Sequence, residues 1–407
     1  MIQMTMHDMF SQETRRFPLA FSARLREHGP LISFTGDPTS KKRSWIVTSY
    51  DDAVALLKDA RFIKQSTSLF KYGEESSQEQ SDLSNPLFSW RRDMLTSNPP
   101  DHTRLRYLVS KAFTPRAIEQ LRPRIQHITD GLLDAVESQG RMDLVTDFAL
   151  PLPITVISEM LGIPPADRAA FHAWTHVLLK AVGDHEQEQA ALPTQQAFVH
   201  FIRTLIADKR VHPDDDLISN LVQAEEQGDR LSEIELVSTI WLLIVAGHET
   251  TVNLIGTGML ELLRHPEQLR LLQNDSSLLT SAVEELLRFV NPVMYVSRFA
   301  SEDVPLHGEV IRKDELVIFS LMAADSDPQR FSAPETLNIT REEKQHLAFG
   351  KGIHTCLGAP LARLEGQIAI GTLLHRFPHL SLASEPDDLT WTRAYGMRGV
   401  INLPVTF

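Results

Sequence analysis

The sequence predicts a mainly α-helical fold with small β-sheets. Apolar residues recur at three- and four-residue spacing along several segments, the pattern of helices that bury one face. These segments are residues 51–57, 117–136, 198–206, 266–272 and 278–290. The clearest strand-like runs are short and lie at residues 45–48, 315–319 and 401–407.

The composition is that of an ordinary globular protein. The chain has 407 residues, of which 42% are hydrophobic and 23% are charged. We interpret residues 1–407 as one domain with a small β-rich subregion near the N-terminus. The net charge of −13 argues against broad binding to nucleic acid. Residues 1–25 mix acids and arginines among their few hydrophobic positions, so we expect no leader segment and a cytoplasmic location.

Two polar stretches separate the helical segments. Residues 64–100 mix Ser, Gln and Glu with isolated apolar side chains, which suits a long mobile loop over a cavity. Residues 183–189 form a second polar break. Neither stretch is rich in Pro and Gly, so we expect neither to link separate domains.

One predicted helix is exceptionally long. Ser232 and Glu235 have the spacing of a capping box, with Leu231 and Leu236 placed as a hydrophobic staple. The helix is predicted to run to about Arg264, roughly 32 residues or about 48 Å. Its apolar run, residues 240–246, is too short to span a bilayer, so we expect a buried core helix and no membrane span.

Residues 246–251 of this helix are unusual for a buried segment. Gly247 in a helix interior costs about 1 kcal/mol relative to alanine. Glu249 is unfavourable in an apolar neighbourhood unless the protein uses its charge. An alternative interpretation is a small packing residue followed by threonines that bond to the preceding turn.

The single cysteine, Cys356, lies in a loop with three glycines, Gly350, Gly352 and Gly358, just ahead of a predicted helix. A lone cysteine excludes an intrachain disulfide and a zinc site built from several cysteines. A haem iron needs only one protein ligand, because the porphyrin supplies four nitrogens. The alternative is a small buried hydrophobic residue.

A buried haem also needs cations beside its two propionates. His102 and Arg106 are four residues apart and so share one helical face. Arg298 and His354 are further candidates. A solvated basic face is the alternative for the first pair.

Glu285 and Arg288 lie at the helical spacing i, i+3 and could form a buried structural ion pair. The alternative is an ordinary surface bridge between Glu284 and Arg288.

Taken together and in this order, these motifs resemble the cytochrome P-450 family, specifically its soluble bacterial type. The motifs are His102-Thr-Arg-Leu-Arg106, Ala246-Gly-His-Glu-Thr-Thr251, Glu285-x-x-Arg288, and Phe349-Gly-x-Gly-x-His-x-Cys-Leu-Gly358 with Leu361-Ala-Arg363. The resemblance extends from about residue 18 to residue 407. It is greatest to bacterial hydroxylases that tailor polyketides and macrolides, and the alternative substrate classes are fatty acids, steroids and terpenes.

The resemblance implies the family fold, with haem b between the long central helix and the cysteine loop. Cys356 is then the proximal ligand of the iron, Phe349 shields the sulfur, and Glu285 and Arg288 stabilise the fold beneath the haem. Glu249 and Thr250 lie where dioxygen binds and, with Cys356, form the implied catalytic set. The implied haem contacts are His102, Arg106, Ala246, Gly247, Thr250, Arg298, Phe349, Gly350, His354, Cys356 and Gly358.

The implied activity is insertion of one oxygen atom from O2 into a C–H or C=C bond. Electrons are expected from a separate ferredoxin or flavodoxin with its reductase, and the protein is expected to be a monomer. The alternatives are a peroxide-driven hydroxylase of fatty acids or steroids and a non-catalytic haem sensor. The Glu249–Thr250 pair argues against both.

For the redox partner, a basic docking patch is predicted at Arg104, Lys111, Arg116, Lys351 and Arg363, with an ordinary solvated surface as the alternative. For the substrate, the expected pocket walls are mostly apolar, so a medium or large hydrophobic molecule is expected. Besides the loop at residues 70–95, these walls are Leu242, Leu243, Ala246, Val293, Met294, Tyr395 and Met397.

One departure from the family pattern is visible. Asp325 and Ser326 replace an Asn-Arg pair that bacterial relatives often carry. The departure affects the expected local packing and not the implied chemistry.

Overall fold

The computed structural model describes residues 6–34, 43–64, 92–111, 113–181, 185–226, 229–392 and 396–407. It is 57% helical with small sheets, which confirms the predicted fold class. The described α-helices are α1 (Met6–Met9), α2 (Gln12–Arg16), α3 (Pro18–Glu27), α4 (Tyr50–Leu56), α5 (Asp101–Ser110), α6 (Pro115–Gln120), α7 (Arg122–Glu137), α8 (Pro151–Met160), α9 (Arg168–Ala181), α10 (His185–Ala190), α11 (Leu192–Val211), α12 (Leu217–Gln223), α13 (Glu233–Arg264), α14 (Pro266–Asn274), α15 (Leu279–Val290), α16 (Leu321–Asp325) and α17 (Ala359–Arg376).

The described strands are β1 (Leu31–Phe34), β2 (Ser44–Val47), β3 (Phe62–Ile63), β4 (Arg141–Asp143), β5 (Glu225–Glu226), β6 (Asp229–Arg230), β7 (Tyr295–Ala300), β8 (Val304–Leu306), β9 (Glu309–Ile311), β10 (Leu316–Ser320), β11 (Ser381–Leu382) and β12 (Pro404–Thr406). The largest sheet has five strands in the order β1-β2-β10-β7-β3. Strand β10 pairs parallel to β2 and antiparallel to β7, so both of its edges are hydrogen-bonded within the sheet. Three strands, β11-β12-β4, form a second sheet.

The backbone contacts divide the chain into two compact units. The first comprises the described residues within 1–66, 122–152 and 250–407, and the second those within 67–121 and 153–249. The first unit contains both multistranded sheets and the cysteine loop. The second is helical apart from the small β5–β6 pair.

Each unit has a buried apolar core. In the first unit, the inward side chains of the five-stranded sheet, such as Trp45, Val317 and Phe319, pack with helix α4 and with Leu347. In the second unit, Phe198 lies between two aromatic neighbours. Its ring centroid is 6.1 Å from that of Phe171 and 5.5 Å from that of Trp241.

Helix α13 is the predicted long helix, and its 32 residues have the predicted bounds. Both hydrogen bonds of the capping box are present. The N–H of Ser232 donates to Oε2 of Glu235 at 2.8 Å, and the N–H of Glu235 donates to Oγ of Ser232 at 3.3 Å. Nowhere in the described chain does a helix combine the length and hydropathy that crossing a bilayer requires.

The predicted helical segment 117–136 is split. Helix α6 ends at Gln120 and α7 begins at Arg122, with Leu121 between them. Pro123 lies in the first turn of α7, where its missing N–H is tolerated, but in a continuous helix it would interrupt the hydrogen bonds. The spacing of apolar residues alone therefore did not predict the break between α6 and α7.

The predicted mobile loop over a cavity falls largely on residues 65–91, which lie outside the described residues. The second polar break is partly described. Residues 185–189 of it lie in helix α10 (His185–Ala190).

Candidate active site

The loop that carries Cys356 is a tight turn built on glycines. The N–H of Gly350 donates to the carbonyl oxygen of Leu347 at 2.7 Å. The N–H of Cys356 donates to the carbonyl oxygen of Phe349 at 2.9 Å. Gly350 has φ +67° and Gly352 has φ +76°, in the left-handed region that favours glycine. These backbone bonds fix Cys356 relative to Phe349.

Gly352 has no room for a side chain. An added Cβ would lie 2.2 Å from the carbonyl oxygen of Leu57, so even alanine would displace the backbone. His354 ends the short 3-10 turn that Gly352 begins, and its side chain is partly exposed. The turn therefore sets the path of the chain two residues before Cys356.

Cys356 is exposed, so the alternative of a small buried hydrophobic residue is wrong. Helix α17 begins three residues later, with Pro360 in its first turn as predicted. A Cβ added to Gly358 would lie 4.0 Å from the sulfur of Cys356. The sulfur thus lies at an accessible position next to the start of a helix.

Arg298 is a buried cation in the middle of strand β7. It is 4% exposed, and its Nη1 donates to the carbonyl oxygen of Ser297 at 2.7 Å. Within the described ranges, no carboxylate forms a salt bridge with it. Burial lowers the pKa of Arg298 to about 10. A buried guanidinium without a carboxylate is suited to an anionic ligand.

His102 and Arg106 lie one turn apart on helix α5, as predicted. His102 is 2% exposed, and Arg106 is partly exposed. Both residues belong to the second unit, whereas Arg298 and His354 belong to the first. Because His102 is buried, a solvated basic face does not describe this member of the pair.

Residues 246–250 of helix α13 are partly open except for His248, which is buried. Ala246 is exposed, and Gly247, Glu249 and Thr250 are partly exposed. The nearest atom to a Cβ added at Gly247 would be Cδ1 of Ile157, 4.0 Å away, so packing alone does not require glycine here. The described residues give Glu249 no hydrogen bond or ion pair, and burial raises its pKa.

Apart from Met294, the predicted substrate-contact residues fall into three groups. Val293 and Met397 are partly exposed and form an isolated antiparallel bridge, so the structure brings them together. Leu242 and Leu243 are 4% and 8% exposed, close to the open position of Ala246 one turn later. Tyr395 lies outside the described residues.

Met294 does not line a pocket of the described chain, contrary to the prediction. It is 0% exposed and packs in a core cluster that includes Phe21 and Ile318. The alternation of side chains along the extended chain that leads into β7 explains why Met294 is buried. Neighbouring extended residues point to opposite faces, so Val293 and Met294 cannot both face the same cavity.

Glu285 and Arg288 form the buried pair that the spacing indicated. Nε and Nη2 of Arg288 each donate to one carboxylate oxygen of Glu285 at 2.8 Å. Arg341, which the sequence did not reveal, adds bonds of 3.1 and 3.2 Å to the same carboxylate. The N–H of Asn338 donates at 3.0 Å. This carboxylate is fully bonded and holds the chain after α16 against helix α15.

The alternative surface bridge between Glu284 and Arg288 is wrong. Glu284 instead accepts two hydrogen bonds from Arg363, at 2.6 and 2.9 Å, and lies 3.2 Å from Nε2 of His346. Burial alone would raise the pKa of Glu284, but these two partners lower it to about 2. Sequence reasoning missed this cluster because the partners are 62 and 79 residues away.

The predicted basic docking patch is partly neutralised. Arg104 forms a salt bridge with Glu235, and Arg363 forms one with Glu284. Lys111 is exposed, with its ammonium 4.6 Å from the ring centroid of Tyr107. The remaining members, Arg116 and Lys351, are exposed and partly exposed, respectively.

Comparisons with known proteins agree with this geometry. Residues 170–398 match the family model described as cytochrome P-450. The chain is 52% identical over 411 residues to cytochrome P-450 CYP107DY1 of Priestia megaterium, with 100% of both sequences covered. It is 41% identical to the 6-deoxyerythronolide B hydroxylase of Saccharopolyspora erythraea, with 94% of each covered. The solved structure of the Bacillus subtilis bacillaene polyketide synthase cytochrome P-450 PksS has a TM-score of 0.88 at 41% identity, covering 98% of each chain.

Proposed function

Because the chain belongs to the cytochrome P-450 family and is a haem-thiolate monooxygenase, we propose that it oxidises a hydrophobic polyketide or macrolide of secondary metabolism. The single observation that carries the site assignment is the exposed sulfur of Cys356 in a glycine-rich turn at the start of helix α17. We take residues 1–407 as one functional domain.

The residues present fit a haem. Cys356 is the only thiol in the sequence and would ligate the iron. Arg298 is buried without a carboxylate partner in the described part of the chain, which suits a propionate. His354, and His102 with Arg106 on α5, would supply the remaining positive or donor groups. Gly350, Gly358, Ala246 and Gly247 would let the backbone approach the ring, and Phe349 would cover the sulfur.

The haem-thiolate, when bound, supplies the activation of O2 for transfer of one oxygen atom to the substrate. The chain's own contribution is proton handling on helix α13. Burial raises the pKa of Glu249, so its carboxyl holds a proton more readily near neutral pH than an exposed glutamate. The hydroxyl of Thr250, the next residue, would accept and pass on that proton through an ordered water.

The substrate class rests on the apolar character of the residues predicted to contact the substrate. Val293, Met397, Leu243 and Ala246 offer aliphatic surface, with Leu242 one turn before Ala246. The 6-deoxyerythronolide B hydroxylase and PksS, each 41% identical to the chain, have names that refer to macrolide and polyketide biosynthesis. We therefore place the substrate among medium or large hydrophobic molecules of this kind.

A separate ferredoxin or flavodoxin with its reductase would supply the electrons. Since Arg104 and Arg363 are engaged by carboxylates, the docking contribution is assigned to Lys111, Arg116 and Lys351. The lone cysteine supports a reducing, cytoplasmic compartment, and we propose a monomer.

The test is turnover of the purified holoprotein with a surrogate ferredoxin, its reductase and NADPH under isotopically labelled O2. A panel of macrolactones, fatty acids and steroids is first screened for a shift of the Soret band. The proposal expects a macrolactone to shift the band and to acquire one labelled oxygen atom. Product that forms only with hydrogen peroxide would indicate the peroxide-driven alternative, and binding without any product would indicate a sensor.

A further inference from the structure

The carboxylate of Glu284 joins two helices and the loop that leads to Cys356. Glu284 lies on helix α15, and its two oxygens accept hydrogen bonds from Nε and Nη2 of Arg363 on helix α17. Its second partner is His346, on the loop that leads to Cys356. The side chains of Glu284 and His346 are 15% and 2% exposed, so their contact is shielded from water, whereas the side chain of Arg363 is 37% exposed.

The hydrogen bonds of His346 define which ring nitrogen carries the proton. The backbone N–H of Ala348 donates to Nδ1 at 3.2 Å, so Nδ1 is the acceptor. Nε2 lies 3.2 Å from a carboxylate oxygen of Glu284 and must therefore be the donor. The imidazole of His346 thus connects Glu284 to the backbone one residue before Phe349.

The ring of Phe349 is held by the same two partners. The guanidinium carbon of Arg363 lies 4.5 Å from its centroid, and the ring of His346 lies 5.9 Å from it. A guanidinium fixed by a bidentate carboxylate is well placed to stack on an aromatic face. The carbonyl oxygen of Phe349 accepts the N–H of Cys356 at 2.9 Å. A continuous chain of contacts therefore runs from Glu284 to the backbone of the cysteine.

We propose that Glu284, His346 and Arg363 form a positioning cluster that fixes Phe349 and, through its carbonyl oxygen, the cysteine loop. Glu284 is the centre of this cluster, and none of the three touches Cys356 itself. The role assigned to Arg363 is then structural support of the sulfur ligand and not docking of a redox partner. The proposal rests on Cys356 being the iron ligand, as set out above.

Two explanations of a variant's effect must be separated. If the cluster acted only through its charges, neutralising Glu284 would raise the reduction potential of the haem and neutralising Arg363 would lower it. If the cluster positions the loop, either change weakens donation from the sulfur and raises the potential. The sign of the shift in Arg363→Gln therefore distinguishes positioning from electrostatics.

The experiment compares four holoprotein variants with the wild type: Glu284→Gln, Arg363→Gln, Arg363→Lys and Arg376→Gln. Arg363→Lys keeps the charge but loses the bidentate, stacked geometry. Arg376→Gln is the matched control, because Arg376 is on the same helix and bridges Asp134 and Glu137. The readouts are the reduction potential and hydrogen–deuterium exchange of the peptide that contains Cys356.

The proposal predicts a raised potential in all three cluster variants. It also predicts exchange of the Cys356 peptide about tenfold faster than in the wild type, because the opening free energy falls. Arg376→Gln should match the wild type in both readouts. Opposite shifts in Glu284→Gln and Arg363→Gln with unchanged exchange would overturn the proposal, as would no change in any variant.

Failure of this proposal is distinguishable from failure of the assigned ligand. If the wild type gives the strongly red-shifted carbon monoxide band of a thiolate-ligated haem and the variants behave like it, only the positioning role is wrong. If the wild type lacks that band, Cys356 is not the ligand. If Glu284→Gln fails to fold, the reduction potentials of the two Arg363 variants still distinguish positioning from electrostatics.

Discussion

Glu285 is a buried carboxylate and Glu249 is a partly exposed one, both on helices, and their surroundings differ completely. Glu285 accepts bonds from Arg288, Arg341 and the N–H of Asn338. Within the described residues, nothing bonds to Glu249, and burial raises its pKa. A satisfied buried carboxylate holds a fold together, whereas an unsatisfied one retains its proton and is available for chemistry. The two residues should therefore respond to substitution in opposite ways.

The largest effect is expected at Glu285, whose carboxylate is fully hydrogen-bonded. Arg288→Met leaves the carboxylate of Glu285 with one of its two arginines, so we expect the free energy of unfolding to fall by about 3–5 kcal/mol. Urea unfolding followed by circular dichroism measures it. The control is Arg376→Gln, whose acidic partners are exposed and whose loss should cost less than about 1 kcal/mol. Equal losses in the two variants would contradict the structural role of the Glu285 network.

At Glu249, whose carboxylate has no hydrogen bond or ion pair within the described residues, substitution should change turnover and not stability. Glu249→Gln removes the proton donor, so kcat should fall about 10²-fold. The free energy of unfolding should stay equal or rise, because an amide is less costly to bury than a carboxyl that ionises. Product formation and urea unfolding provide the two measurements.

The control for this variant is Glu235→Gln on the same helix. Glu235 belongs to the capping box, so we expect a loss of about 1 kcal/mol in stability and unchanged turnover. Wild-type turnover in Glu249→Gln would refute the proton-donor assignment.

Asp325 is an intermediate case, because only one of its oxygens is bonded. Oδ1 accepts the N–H of Leu347 at 2.6 Å, and Oδ2 is buried with no hydrogen-bond partner in the described chain. Burial raises the pKa of Asp325 from 3.8 to about 6. The folded state therefore holds this proton more tightly than the unfolded chain, and wild-type stability should decrease as pH rises from about 4 to about 6.

Asp325→Asn keeps the acceptor for Leu347 and removes the ionisable group. Above pH 6 we expect the variant to be about 1–3 kcal/mol more stable than the wild type, with the gain vanishing near pH 4. Urea unfolding at several pH values between 4 and 8 measures the difference. A variant that is less stable at every pH would show that the carboxylate is needed where the family often has asparagine.

The smallest effect is expected at the second member of the proposed proton path. Thr250→Ala should bind substrate normally but convert less of the consumed NADPH into product, by several-fold, with the remainder released as hydrogen peroxide. The ratio of product to NADPH, with a peroxide assay, measures this coupling. Full coupling without extra peroxide would exclude Thr250 from the path.

Local patterns in the sequence predicted the parts of the site that depend on interactions between residues close together in the chain. The capping box fixed the start of α13, and the glycines around Cys356 indicated a turn that the φ angles of Gly350 and Gly352 confirm. The i, i+3 spacing of Glu285 and Arg288 was sufficient because both partners are on one helix. Each of these features depends on residues fewer than about ten positions apart.

Contacts between segments that are far apart in the sequence could not be predicted from such local patterns. Glu284 was expected to pair with Arg288 if it paired locally, but its partners come from a loop and from helix α17. Met294 was assigned to the pocket because it is apolar and adjacent to Val293, although the strand turns it into the core. The spacing of apolar residues indicates which side chains are buried. It does not indicate which other residues they pack against.

The most direct test of the whole account is the carbon monoxide difference spectrum of the reduced holoprotein and of Cys356→Ser. The account predicts the strongly red-shifted band of a thiolate-ligated haem in the wild type and its complete loss in the variant. A wild-type spectrum without that band, or the same band in Cys356→Ser, would contradict the assignment of Cys356 as the iron ligand.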